Sequence, residues 1–353
     1  MQPFVYNALP SRVIFGSGTI TQLADEIRAL GASRALVLTT KQQKSDGERL
    51  CEQLGDLAVG LYANATMHTP IEVTKDALKF VASNNADCVV ALGGGSTIGL
   101  GKAIALNTDL PQIVIPTTYA GSEATPIIGQ TENGLKTTQR TLKVLPEVVL
   151  YDVDLTITLA PEISITSGLN AIAHAVEALY SKDANPLITQ LAEQGIAALA
   201  SALPRIHKNP GDLDARSDAL FGAWACGVCL GAVGMSIHHK LCHTLGGSFN
   251  LPHAETHSIV LPHATAYNAA AAPDAMARIC RALGGVSSDA AGGLYDLASS
   301  LGAPTRLEQI GLREQDLPRA VEIACSSPYW NPRPIEAQGI KHLLDNAFFG
   351  RRP

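Results

Sequence analysis

Up to about residue 155, short apolar runs alternate with amphipathic stretches, and beyond Pro161 the short runs stop. The runs are Ala35–Leu38, Ala58–Tyr62, Cys88–Leu92, Gln112–Ile115 and Glu147–Leu150, most of them rich in β-branched residues. Between them Ile20–Leu30, Lys44–Leu54 and Ile71–Asn84 repeat their apolar positions at helical period. Strand–helix–strand alternation predicts a mostly parallel sheet with helices on both faces. After Pro161 the chain is Ala/Leu-rich at helical spacing over Ser167–Tyr180, Pro186–Ala202, Ala215–Leu245, Ala270–Leu283, Ala290–Leu301 and Ile335–Phe348. The pattern predicts a Rossmann-like α/β domain over residues 1–160 and an all-α domain over residues 161–353. A chain of 353 residues suits two such cores.

The formal net charge of −6 gives no electrostatic case for nucleic acid or an anionic membrane as a partner. No run of about 18 apolar residues suggests a membrane span. The start lacks a basic stretch followed by an apolar one, so no secretory leader is expected. Seven scattered cysteines, several inside apolar stretches, read as reduced thiols in the cytoplasm. Cys226 and Cys229 have CxxC spacing but sit inside the apolar run Trp224–Val233 with no second pair, which reads as helix packing.

The run Cys88–Leu92 leads directly into Gly93, Gly94, Gly95, Ser96 and Thr97, and a helix is expected over Leu100–Leu106. Glycines let a pyrophosphate approach the backbone, and a helix N-terminus offers it free N–H groups and a positive dipole end. The first apolar run ends in Thr39 and Thr40, where many NAD enzymes carry a carboxylate for the ribose hydroxyls. Neutral hydroxyls there do not repel a 2′-phosphate, so NADH use with NADPH tolerated is the expectation. A second polar turn, Pro116–Glu123, brings Thr117, Thr118 and Tyr119 to the end of another strand as further cofactor ligands. Lys102 and Lys136 are candidates for the cofactor phosphates.

Six of the ten histidines fall between His238 and His263. His239 and His243 stand i, i+4 on one helix face, and a Gly-Gly turn can return His253 to it. Asn170 and His174 form a second i, i+4 pair on the Ser167–Tyr180 helix. Five such positions on two helices pointing at one cleft read as a catalytic constellation.

With these residues in view, almost the whole chain resembles the iron-containing alcohol dehydrogenase superfamily. The resemblance is carried by Arg12–Gly18, the glycine loop with Lys102, Pro116–Thr118, the Gly168–Glu177 helix, the histidine segment and Asn331–Pro334. It implies the dehydroquinate synthase-like architecture, a nucleotide domain facing a helical domain, and homodimers. Within the superfamily, Gly99, Tyr119 in a shortened turn, and the segments His238–Gly247 and Leu251–His257 resemble the maleylacetate reductase branch. The family's metal ligands, one Asp and three His, map onto Asn170, His174, His239 and His253. An amide in place of the carboxylate removes one negative charge and weakens any divalent site, so no metal is expected.

That resemblance implies reduction of the C=C bond of maleylacetate to 3-oxoadipate in the catabolism of resorcinol, hydroxyquinol or chlorinated catechols. His243 is then expected as proton donor. His174, His239 and His253, with Asn170 beside them, are expected to stabilise oxygen or carboxylate. Tyr119, Lys240 and Arg333 are candidates for the substrate carboxylates. Two rival readings are a metal-dependent alcohol or glycerol dehydrogenase and a non-catalytic nucleotide-binding scaffold.

Overall fold

The computed structural model describes residues 3–132, 135–285, 288–327 and 329–353. It divides into two compact units, Leu9–Leu159 and Ala160–Pro353, with the N-terminal residues up to Ala8 grouped with the second.

In the first unit, strands β1 (Arg12–Gly16), β2 (Ala35–Thr40), β3 (Ala58–Ala65), β4 (Cys88–Gly93), β5 (Gln112–Pro116) and β8 (Val148–Asp152) form one sheet in the order β1-β8-β5-β4-β2-β3. Every pairing in it is parallel. Helices α1 (Leu23–Ala29), α2 (Lys44–Leu54), α3 (Ile71–Ser83) and α4 (Gly95–Thr108) cover it. Alternate strand residues go to opposite faces. Val37, Val90, Ile113 and Ile115 pack with Leu23, Ile27 and Leu50. Leu38, Val89, Ala91 and Val114 pack with Val81, Ile98 and Ile104. Burial on both faces is why these strands read as continuous apolar runs.

Two elements escape the apolar pattern. The edge strand β1 is held at its end by Asp152, whose carboxylate accepts from the N–H groups of Gly18 (3.0 Å) and Ile20 (2.8 Å). Strands β6 (Ile127–Glu132) and β7 (Leu135–Arg140) form a separate antiparallel hairpin. Both are short and polar or partly exposed, so their sequences carry no buried-strand signature.

The second unit is helical: α5 (Pro161–Tyr180), α6 (Pro186–Lys208), α7 (Leu213–Ala232), α8 (Ile237–Phe249), α9 (His253–Asn268), α10 (Pro273–Ala282), α11 (Ala290–Ser300), α12 (Leu317–Cys325) and α13 (Ala337–Phe349). From Ser164 to Tyr180 every residue of α5 is buried. The single helix expected over Ala215–Leu245 is two, α7 and α8, meeting at a bend of 97°. Helices α9 and α12 are additional to the sequence expectation. Pro262 lies inside α9 and reads as a breaker, yet the buried helix carries it. Among the described residues no single helix is long and apolar enough to cross a membrane. All seven cysteines are free, and Cys226 and Cys229 are buried in α7.

Lys102 is not a phosphate ligand. It is 1% exposed, and its ammonium donates to the carbonyls of Ser122 (2.6 Å), Thr125 (2.8 Å) and Ile127 (2.8 Å) and to the Thr125 hydroxyl (3.0 Å). Burial lowers it to about 7, and the nearby Glu123 opposes that shift. The lysine therefore ties the chain after β5 to α4. Lys102→Met removes the donor from four buried oxygens and should cost about 3 kcal/mol or more of stability, read from urea unfolding midpoints. An unchanged midpoint would mean that water replaces the ammonium.

Candidate functional site

Strand order reverses direction at β2 and β4: β3 follows β2 on one side, while β4 and β5 lie on the other. Ligands in such sheets bind beyond the carboxyl ends of the strands at this point. Those ends here are Thr39 and Thr40 on β2, Gly93 on β4 and Thr117 after β5. Helix α4 starts at Gly95, five residues before the expected Leu100. Ser96 and Thr97 therefore lie in its first turn. The N–H groups of Thr97 and Ile98 bond to the Gly94 carbonyl, so those of Gly95 and Ser96 precede the first intrahelical bond and suit an anion.

Glycine is required in this cradle. Gly93 has φ +150°, and a Cβ there would lie 2.6 Å from the Thr97 hydroxyl and 2.7 Å from Gln43 Oε1. A Cβ on Gly94 would lie 2.7 Å from Thr118 Cγ2. Gln43 was not foreseen. Its Nε2 donates to Thr117 Oγ1 (3.0 Å), and Thr40 Oγ1 lies 3.4 Å from its Oε1, so it bridges β2 and β5 across Gly93. Only the fold reveals it, because its partners are remote in sequence. The Thr39 and Thr97 hydroxyls are buried without a protein partner. Tyr119 is fully buried. Lys136 lies on β7, but its side chain falls outside the described residues.

The histidines gather in the helical unit. Helix α5 presents Asn170, His174 and Glu177 along one stripe at i, i+4 and i+7. Helix α8 carries His238, His239 and His243, and α9 carries His253 and His257 one turn apart. The His239 ring lies 5.1 Å from that of His174, 5.1 Å from His257 and 6.1 Å from His243, while His253 and His257 are 4.3 Å apart. His243 and His253 are half-buried, whereas His174, His238, His239 and His257 are buried.

Glu177 organises this cluster, and the sequence expectation gave it no role. One carboxylate oxygen accepts from the Ser236 hydroxyl (2.7 Å) and the His238 N–H (2.8 Å). The other accepts from the Ser236 N–H (3.0 Å) and His239 Nδ1 (2.7 Å). Burial alone would raise its pKa. The His239 hydrogen bond, the positive charge of His239 and His238, and the Ser236 N–H outweigh burial and hold it at about 2. Its i+3 spacing from His174 was the available signal, as was the i+4 spacing of His257 from His253.

Burial pushes His174 well below its ordinary value, and charge on His239, His253, His238 and His243 pushes it further. His257 shifts the same way for the same reasons. Neighbouring imidazoles resist simultaneous protonation. Several polar atoms have no protein partner: Asn170 Oδ1, His174 Nδ1, His238 Nδ1, His239 Nε2 and both ring nitrogens of His257. Buried atoms of this kind call for a ligand or water.

The expected carboxylate partners are placed less favourably. The Lys240 ammonium lies 5.7 Å from the centre of the Tyr329 ring. Arg333 stacks on the Tyr267 ring at 4.2 Å and donates to the Tyr267 carbonyl at 3.4 Å.

In the Asp/His/His/His metal set of the family, the carboxylate position is Asn170 and the other three are His174, His239 and His253. Asn170 brings no negative charge. Among the described residues, the triad whose ring nitrogens come within 4.8 Å of one another is His238, His239 and His257, which takes only His239 from that set.

Comparison with known proteins agrees with this architecture. Residues 10–153 match the family described as iron-containing alcohol dehydrogenase, and residues 164–348 match the C-terminal part of the Fe-containing alcohol dehydrogenase family. The chain is 57% identical to maleylacetate reductase from Rhizobium sp. strain MTP-10005 over 353 residues, covering all of both chains. It is 54% identical to maleylacetate reductase from Burkholderia cepacia, again covering all of both. The solved structure of maleylacetate reductase from Agrobacterium tumefaciens is similar with TM-score 0.96 and 57% identity, each chain fully covered.

Two outcomes follow. Gly93→Ala should raise the NADH Kd about tenfold or more, the equivalent of one lost charge-assisted hydrogen bond. Unchanged affinity by fluorescence titration would remove the glycine loop from the nucleotide site. Burial also lowers His238 and His263 to about 4 from 6.5. Their folded values lie below the unfolded one, so their contribution to stability is complete above pH 6.5 and is lost as pH falls towards 4. Each group should contribute a slope of up to about 1.4 kcal/mol per pH unit in that window. His263→Gln should flatten the profile of urea midpoint against pH, and a profile of unchanged slope would acquit His263.

Proposed function

The chain belongs to the iron-containing alcohol dehydrogenase family, in its maleylacetate reductase group, and from that premise we propose that it reduces the C=C bond of maleylacetate to 3-oxoadipate without a metal. It is an oxidoreductase that uses a nicotinamide dinucleotide. The observation that carries the metal-free reading is the buried cluster in which an amide, Asn170, stands where the family's metal set has its carboxylate.

A nicotinamide dinucleotide held at the glycine turn would supply the hydride that the alkene carbon β to the ketone takes. Charge then develops on the ketone oxygen as an enolate, and the neighbouring carbon takes a proton. An enolate spreads its charge, so hydrogen-bond donors suffice where alcohol oxidation uses a cation. His174, His239 and His253 are the proposed donors to oxygen or carboxylate, with Asn170 beside them. Glu177 holds Nδ1–H of His239, so a proton on Nε2 makes that ring a donor towards substrate. His243 is the proposed proton donor. It is half-buried, so it can regain its proton from solvent between turnovers, which the buried His174 cannot readily do.

The ends of β2 and β5 present Thr39, Thr40, Gln43 and Thr117 and no carboxylate. This supports NADH as cofactor with NADPH tolerated. The resemblance to characterised reductases further supports a homodimer acting in the cytoplasm on a product of aromatic ring cleavage.

The test follows NADH and NADPH oxidation with maleylacetate, using chelator-stripped protein beside untreated protein. Equal turnover in both preparations is expected, with NADPH accepted. Turnover only before stripping would restore a metal-dependent dehydrogenase, and nucleotide binding without turnover would leave a scaffold.

A further inference from the structure

We propose that His238, His239 and His257 form a transition-metal site of the zinc class, sharing only His239 with the family's ligand positions, whose occupation opposes the reduction rather than supporting it. One ring nitrogen of each lies within 4.8 Å of the others, and the three residues are 1%, 6% and 0% exposed.

The hydrogen bonds around the rings set which nitrogens are available. His239 commits Nδ1 to Glu177 at 2.7 Å, which leaves the Nε2 lone pair free. His238 commits Nε2 to the His257 carbonyl at 3.1 Å, and a carbonyl only accepts, so that nitrogen carries the proton and Nδ1 the lone pair. Both His257 nitrogens are without a protein partner, as are His238 Nδ1 and His239 Nε2. The result is three buried imidazoles, each with a nitrogen available to a cation.

Imidazole suits Zn2+, Cu2+, Ni2+ and Co2+, and three histidines with an open fourth position is a recurring zinc arrangement. Nitrogens bound at about 2.1 Å on a tetrahedral ion stand roughly 3.4 Å apart. The 4.8 Å bound on the present ring nitrogens leaves that spacing within reach of small side-chain rotations. Glu177 behind His239 supplies the carboxylate that orients a metal-binding imidazole and a negative charge close to the ion. Two of the three ligands, His238 and His257, lie outside the positions that correspond to the family's set, and Asn170, His174 and His253 are not needed.

The inhibitory consequence rests on the reductase reading, because a cation takes the His239 Nε2 lone pair that would otherwise carry the proton offered to substrate. Cation binding itself does not depend on that reading.

Metal-stripped full-length protein is titrated with Co2+ followed by visible absorption, and with Zn2+ followed by calorimetry. One Co2+ per chain with tetrahedral bands is expected. His257→Asn and His238→Asn should each weaken binding by about tenfold or more, while His174→Asn leaves it within about threefold. Absence of stoichiometric binding overturns the site, as does a loss of affinity with His174→Asn but not with His257→Asn. Crystals of the wild-type protein soaked in Zn2+ locate the ion by anomalous scattering without any variant, and density on Asn170, His174 and His253 instead would also overturn it. Zn2+ added to the maleylacetate assay should slow NADH oxidation, with recovery on chelation. Turnover without cation binding refutes the metal site alone, and cation binding without turnover refutes the reductase reading alone.

Discussion

The histidine cluster depends on one buried carboxylate. Glu177 is 0% exposed, and its charge is tolerable because the start of α8 offers it three N–H groups, the Ser236 hydroxyl and the His239 ring. The same contacts explain why the apolar stretch that begins in α7 does not continue as one helix. The chain leaves α7 at Ala232, turns by 97° and restarts at Ile237 with its N-terminal dipole on a carboxylate from α5. That restart brings His238 and His239 into the cluster, and the bond to Nδ1 fixes which nitrogen of His239 is exposed to chemistry.

A second buried charge does comparable work in the sheet unit. Lys102 on α4 gathers the carbonyls of Ser122, Thr125 and Ile127, holding the chain that follows β5. The helix that starts at the glycine cradle is thereby tied to the segment after the turn that carries Thr117 and Thr118. Gln43 joins the ends of β2 and β5 above Gly93. Each unit thus stabilises an irregular segment beside its site with a single buried ion, whose removal leaves several polar partners stranded.

Substitution of a carboxylate by Asn170 changes what the histidines can be. With an Asp they would be part of an anionic ligand set. With an amide the set carries no charge of its own, and burial, reinforced by charge on neighbouring imidazoles, holds His174 and His257 well below their ordinary values. Hydrogen-bond donors without a cation suit an enolate, whose charge is spread, better than an alkoxide, whose charge is not.

The strands β2, β4, β5 and β8 and most helices were legible because burial on both faces writes continuous apolar runs and burial on one face writes helical period, and the edge strand β3 was legible from its apolar run Ala58–Tyr62. So were the glycine loop and the i, i+4 histidines, whose spacing is a property of one helix. Strand β1, the β6–β7 hairpin and α9 were not, because edge exposure, polarity and an internal Pro262 blur the local signal. The sequence by itself determined the fold class, the glycine turn between β4 and α4 and the residues His174, His239, His243 and His253 as a group. Only the tertiary structure decided that Lys102 is a buried strut, that Gln43 spans two strand ends, and that Glu177, His238 and His257 complete the cluster. Each of those roles is a contact between side chains far apart in the chain, set by helix packing rather than by spacing along any one element.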